Sequence, residues 1–211
     1  MGQILRHNDK QMAKAGEKRA RAAQMQPEER RQQLLRAGVA SFAAKGIGGT
    51  KHADLARACQ VSVPTVFSYF SNRESLVSTI LDEVGTALIT HVINPAQDLA
   101  DPAQRLAATA PLYEQFAAQD PDYVKVWLMW SMHFAPDIQA EYRKFETRVI
   151  DALSQMIDQA AAGKSSIEDA RDRARMILAS SAFLAKMVFD GVSDERRHDF
   201  VQHVLAPLTR A

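Results

Sequence analysis

The stretch of this chain best equipped for chemistry is residues 50–76, TKHADLARACQVSVPTVFSYFSNRESL, and its chemistry is recognition rather than catalysis. Leu55, Ala56 and Cys59 fall on one side of a short helix. Val61 supplies an apolar plug for a turn, Ser62 a cap, and Val66, Phe67 and Phe70 an anchoring face for a second short helix. Two such helices joined by a turn of about four residues have helix-turn-helix spacing. The second helix is left with an outward set of Val63, Pro64, Thr65, Ser68 and Tyr69. A threonine or valine methyl suits thymine methyls, and hydroxyls suit phosphates or base edges in a major groove. Asn72 and Arg73 fall at the start of the next helix, where backbone N–H groups favour phosphate. An ordinary helical hairpin is the alternative, but it does not account for turn, cap, outward face and basic flanks occurring together.

The charge pattern points the same way. The chain of 211 residues has a net charge of only +1, but residues 1–73 carry 13 Lys or Arg against 5 Asp or Glu, and residues 74–211 carry 13 against 20. A positive head on a negative body is drawn to phosphate by one end only. Residues 1–26 hold Arg6, Lys10, Lys14, Lys18, Arg19 and Arg21 against Asp9 and Glu17, and have little to bury, so a flexible basic arm is expected. Two roles remain open for it, a minor-groove contact and a solubilising tail.

Helical periodicity dominates the rest, and strand signals are weak. Pro27, followed by Glu28 and Glu29, opens a first helix that carries Leu35, Val39 and Phe42 and ends at Gly46. A second helix follows Thr50, a third follows Ser62, and a Ser71-x-x-Glu74 capping box opens a fourth that reaches into the body. Asp101-Pro102, Asp120-Pro121 and Ala135-Pro136 mark further starts, Ser165 with Glu168 another capping box, Gly191 a stop and Ser193 a last cap. The expected fold is all-α, with about nine helices. The arm is 1–26, the helix-turn-helix DNA-binding domain 27–75, and the helical ligand-binding and dimerisation domain 76–211.

The pattern Gly46…Thr50-x-x-x-Asp54-Leu55-Ala56…Val61-Ser62…Thr65-x-Phe67-x-Tyr69-Phe70-x-x-Arg73-Glu74-x-Leu76 resembles the head of TetR-family transcription regulators. A finer match, in His52-Ala53-Asp54, Gln60-Val61-Ser62-Val63, Thr65-Val66-Phe67, Lys125-Val126-Trp127 and Trp130-Ser131, resembles the LuxR/HapR branch of quorum-sensing master regulators. Pro64 and Asn72 depart from the pattern, and the match fades beyond about residue 135. The resemblance implies an all-helical homodimer on a two-fold operator of double-stranded DNA, acting as repressor, activator or both. It puts Thr50 on phosphate, Lys51 and His52 beside it, Ser62, Val63, Pro64, Thr65, Ser68 and Tyr69 at the groove, and Asn72 and Arg73 on the phosphate flank. It also implies a pocket for a small hydrophobic ligand.

For that pocket the large soft side chains Phe116, Trp127, Trp130, Met132, Tyr142, Phe145, Phe183 and Met187 are the candidates. A stripe of this kind at helical spacing is equally a plain core. Ala179, Ala182, Leu184 and Val188, with Phe200, Val201, Val204, Leu205 and Leu208, are the candidates for a dimer interface, intramolecular packing being the alternative. No nucleophile–base pattern, phosphate loop, metal-ligand spacing or cofactor motif is recognisable, so no catalytic or metal residue is expected. One cysteine, Cys59, fits a reducing cytoplasm. The N-terminus shows no signal-peptide pattern, and no membrane span is expected. A dedicated local repressor and a helical ligand-binding protein without DNA binding are the rival functions.

Overall fold

A computed structural model describes residues 25–162 and 166–209. The basic arm therefore lies almost wholly outside the described residues. Within them the chain forms nine helices and no strand. α1 is Pro27–Lys45, α2 His52–Cys59 and α3 Val63–Tyr69. α4 is Arg73–Gln97, α5 Pro102–Gln119, α6 Pro121–Ser131, α7 Pro136–Ala160 and α8 Ile167–Phe189, and α9 covers 194–209.

The starts follow the local chemistry, with some shifts. Asp101 accepts from Ala103 N at 3.0 Å and caps α5. The caps of α4 and α8 sit one residue later than the Ser-x-x-Glu spacing suggests. Asn72 Oδ1 accepts from Ser75 N at 2.7 Å, and Ser166 Oγ from Asp169 N at 3.1 Å. In α4 the carboxamide of Asn72 takes the cap from the expected Ser71, accepting from the N–H three residues on from an extended backbone. Ser165 lies outside the described residues. Asp120 and Ser193 occupy cap positions without a side-chain bond.

Among the described residues two turns are π-helical, Ile89–Ile93 inside α4 and Val201–Leu205 inside α9. Each precedes a proline by two residues, in the related stretches His91-Val92-Ile93-Asn94-Pro95 and His203-Val204-Leu205-Ala206-Pro207. A proline ring clashes with the carbonyl four residues back and has no N–H to give it. The helix absorbs this by one wider turn rather than by breaking.

The first four helices and the body share one continuous apolar core. α1 packs on α6 and α4 on α6 and α7, so the head is seated directly on the body. Gly38 permits a close approach of α1 and α4, since a Cβ there would stand 2.4 Å from Ile80 Cδ1 of α4. α4 is long and apolar enough to cross a membrane by length and composition. Its apolar face, including Leu76, Ile80, Leu81 and Val84, is instead buried in this core. α7 and α8 lie against each other, and α5 and α9 pack beside them.

Gln60 ends α2 with φ 56°, in the left-handed region, and its N–H reaches the carbonyls of Ala56 and Arg57. A side chain there costs about 1–2 kcal/mol. Gln60→Gly is therefore expected to raise the unfolding free energy by up to about 1 kcal/mol, the rest being offset by the looser unfolded chain. Urea unfolding of the two proteins checks this, and an unchanged or lower midpoint would count against strain at this turn.

Candidate nucleic-acid interface and body cavity

α2 and α3 meet across the Gln60–Ser62 turn. Leu55, Ala56, Cys59, Val66 and Phe70 are buried in the core that they share with α1. Ser62 starts α3 by accepting from Thr65 N at 3.2 Å, and its hydroxyl lies 2.8 Å from Thr65 Oγ1. Ser62, Val63, Pro64 and Ser68 are exposed, and Thr65 and Tyr69 half-buried. Ser68 donates to Thr65 O at 2.7 Å, so its proton is committed and its lone pairs face outward as acceptors.

Phe67, expected to anchor α3, is 46 % exposed and belongs to the outward face. His52 explains this. Its ring stacks on Phe67 at 4.0 Å with 6° between planes, and its Nε2 lies 2.9 Å from Phe70 O. Buried at the foot of α2, His52 ties the two ends of the motif together and is not open to a phosphate. The period of α3 could not reveal this, because the partner of Phe67 is fifteen residues away on another helix.

Thr50 is turned inward too, and Arg73, though exposed, also serves the protein's own backbone. The Thr50 side chain is fully buried, with Oγ1 3.0 Å from Ser41 Oγ. Arg73 donates from Nη1 to Thr50 O at 2.8 Å and from Nη2 to Gly48 O at 2.8 Å and Ile47 O at 3.2 Å. A guanidinium fork can serve three carbonyls at once, so Arg73 clamps the α1–α2 loop to the start of α4. Asp54 caps α2 by accepting from Lys51 N at 2.9 Å, and pairs with Lys45 Nζ at 2.6 Å. The Lys45 bond, helped by the Lys51 N–H, holds the Asp54 carboxyl below its usual range. Lys51, Arg57 and Asn72 remain exposed around α3.

In the body, Trp127 and Phe145 wall a small apolar cavity of about 60 Å³, together with Leu88, Val92 and Ile93 of α4, Tyr113 of α5, Ile177 and Leu184 of α8, and Leu205 of α9. Both π-helical turns thus present side chains to it. The other pocket candidates lie elsewhere. Trp130 and Tyr142 are core, their rings edge-on at 5.5 Å, and Trp130 Nε1 donates to Ile138 O at 3.1 Å. Phe116 is buried beside His91 (rings stacked at 5.2 Å) on a groove that α1 shares with the body. Met187 is buried off the cavity. Met132 is 71 % and Phe183 54 % exposed, because the α6–α7 turn and the outer side of α8 face away from the core.

The dimer candidates divide. Leu184 and Leu205 point into the cavity, not outward. Ala179 and Val204 are exposed, and Ala182, Val188, Phe200, Val201 and Leu208 half-buried. Phe183 meets Phe200 at 5.2 Å, so with Met176 and Val204 it forms an apolar strip along α8 and α9. The expected pocket residue Phe183 belongs to that strip.

A helix-turn-helix head on a helical body, joined by one long helix, makes this an all-α protein with the layout of the helix-turn-helix class. Residues 34–80 match the family model of bacterial regulatory proteins, tetR family. The HTH-type transcriptional regulator LuxR of Vibrio harveyi is 37 % identical over 108 residues, which is 51 % of this chain and 52 % of that protein. The match thus spans about half the length of that relative. A TetR-like transcriptional regulator from a Rhodococcus species superposes with TM-score 0.70 at 18 % identity, covering 88 % of this chain and 96 % of that one. AibR in complex with isovaleryl coenzyme A and operator DNA superposes with TM-score 0.66 at 19 % identity, covering 84 % of this chain and 98 % of that one. These two likenesses are of fold.

Proposed function

We propose that this protein is a sequence-specific DNA-binding transcription regulator, acting as a homodimer whose operator affinity is set by a small apolar ligand in the body, and that it is no enzyme. The observation that carries the reading is the outward face of α3, where Ser62, Val63, Pro64, Thr65, Phe67 and Ser68 stand together beside Lys51 and Arg57. Two such faces in a dimer read half-sites about one helical turn or a multiple apart. The apolar strip on α8 and α9 is the surface available for the second copy. The Vibrio harveyi relative favours a quorum-sensing or global role over a local repressor.

Ligand control follows from the layout of α4. One end of this helix starts beside the recognition helix, and its π-helical turn walls the cavity. A ligand that shifts α4 changes the separation of the two heads, a coupling between distinct sites.

A gel-shift salt series tests the reading. Binding is expected to fall steeply as salt rises, since phosphate contacts release counterions. Thr65→Ala and Ser68→Ala are expected to shift base preference by about 1 kcal/mol or more at single positions without changing the salt slope. Selection from a random-sequence pool reads that preference. Failure to shift any genomic fragment at low salt would sink the proposal.

A further inference from the structure

The exposed face of α3 is divided lengthwise. Val63 and Phe67 are large apolar residues left exposed, Val63 at 37 %, and Pro64 is exposed between them. Val63 and Pro64 precede Phe67 by four and three residues, so the three stand on one side of the helix as an apolar stripe. Ser62, Thr65 and Ser68 make up the polar side. Phe67 is not a loose surface ring. His52 lies flat against it at 4.0 Å, and His52 is itself buried and tied to Phe70 O at 2.9 Å. The ring is therefore held in place before any partner arrives, and binding costs it little rotamer freedom.

What such a stripe can read follows from the base edges. In the major groove guanine, adenine and cytosine present hydrogen-bonding groups, and thymine alone adds a methyl. Two-bond readout of guanine or adenine takes Arg, Lys, Asn or Gln, and α3, VPTVFSY, has none of them. Its hydroxyls are partly spent, since Ser62 Oγ and Thr65 Oγ1 lie 2.8 Å apart and Ser68 donates to Thr65 O at 2.7 Å. Lys51 and Arg57, exposed beside the helix, supply charge for phosphates, which hold the protein on DNA without reading sequence. Beyond single hydroxyl contacts, what α3 has left for telling bases apart is hydrocarbon.

We propose that this protein recognises thymine methyl groups in the major groove through Val63, Pro64 and Phe67, with Phe67 the principal contact and His52 its positioning residue. This rests on the DNA-binding reading above and adds the chemistry of the half-site. Val63 and Phe67 are one helical turn apart, about 6 Å along the axis, the span of two base steps at about 3.4 Å each. The methyl groups that they read therefore fall within about three successive base pairs of each half-site.

The test starts by selecting a site for the full-length protein from a random pool of double-stranded DNA. Each thymine of that site is then replaced in turn by deoxyuridine, which removes the methyl and leaves every hydrogen-bonding group, and gel shifts give the affinity ratio. One or two thymines per half-site are expected to show a loss of about four-fold, the worth of one buried carbon group. At the most sensitive of them, a 5-methylcytosine–guanine pair is expected to bind about four-fold more tightly than cytosine–guanine, since the methyl returns without the thymine. In Phe67→Ala the preference for thymine over deoxyuridine is expected to vanish at that position and persist at the others. A general loss of affinity cancels in the ratio. His52→Gln, which keeps a donor for Phe70 O but has no ring, is expected to lower the ratio at the same position. Thr65→Ala, on the polar side, is expected to leave it unchanged. Val63→Ala, a milder change, is expected to act at a neighbouring thymine, and reads the stripe even if Phe67→Ala fails to fold.

A selected site without thymine in its half-sites, or one in which every thymine tolerates deoxyuridine, would overturn the assignment and leave DNA binding standing. So would a methyl effect that neither Phe67→Ala nor Val63→Ala diminishes. A methyl effect lost in Phe67→Ala but untouched by His52→Gln would strike His52 from it. A selection that enriches no sequence overturns the proposed function, and this assignment with it.

Discussion

Arg73→Ala is expected to lower the stability of the full chain by about 2–3 kcal/mol and to weaken DNA binding on all sequences alike. Three carbonyls, of Thr50, Gly48 and Ile47, accept from this one guanidinium. Hydrogen bonds to a charged group contribute about 1.5–3 kcal/mol each. Partial exposure reduces that sum, since water takes over some of the acceptors when the side chain is cut back. The consequence for function runs through position. The loop held by Arg73 leads directly into α2, so freeing it loosens the platform on which α3 sits. Arg73→Lys is expected to recover only part of the loss, because a single ammonium cannot span three carbonyls. Urea unfolding and a salt-series gel shift, on an operator and on a scrambled fragment, measure both effects. A variant with unchanged stability and a shallower salt slope would assign Arg73 to phosphate instead.

Trp130→Ala is expected to cost about 3–5 kcal/mol, as large-to-small changes at fully buried aromatics do. In a protein of this size that corresponds to a melting point lower by about 10 °C. Trp130 fills the space between Tyr142 and Phe145 and donates to Ile138 O, one turn into α7. Its loss removes packing on α6 and α7 together and a bond that no neighbour replaces. Trp130→Phe is expected to keep most of the packing and lose chiefly the bond, at about 1–2 kcal/mol. Neither change is expected to alter the lining of the body cavity, because Trp130 does not wall it. Trp127, three residues earlier and on the cavity wall, is the contrasting case. If Trp130→Ala left the melting point unchanged, the placement of Trp130 in the core would be wrong.

Much of this was legible before any coordinates. The helical periods, the prolines at first turns, and the stops at Gly46 and Gly191, which have φ 77° and 67°, are local properties. Local rules place them within a residue or two. Caps illustrate the limit. Ser71 and Asn72 are both able acceptors one residue apart, and the choice of Asn72 depends on how α3 delivers the chain. The π-helical turns carried a signal that spacing alone did not expose, the repeated His-Val-(Ile/Leu)-x-Pro. Its effect is plain only when the proline is seen inside a continuing helix.

What the sequence by itself determined is the class of the head and the chemistry offered by α3. A helix-turn-helix is short and its contacts are nearly all local, so type and spacing suffice. Only the tertiary structure decided which polar residues there are spent within the protein. Thr50, His52 and Arg73 are chemically fit for phosphate, but their partners Ser41, Phe70 and the 47–50 loop come from distant turns of chain. The body is the stronger case. Aromatic and methionine residues at helical spacing are equally suited to core, cavity or outer face. The crossing of α4, α5, α7, α8 and α9 alone sorts Tyr113 and Trp127 into a cavity, Trp130 into the core and Phe183 to the surface. Side-chain type sets what a residue can do, and packing geometry sets what is left for it to meet.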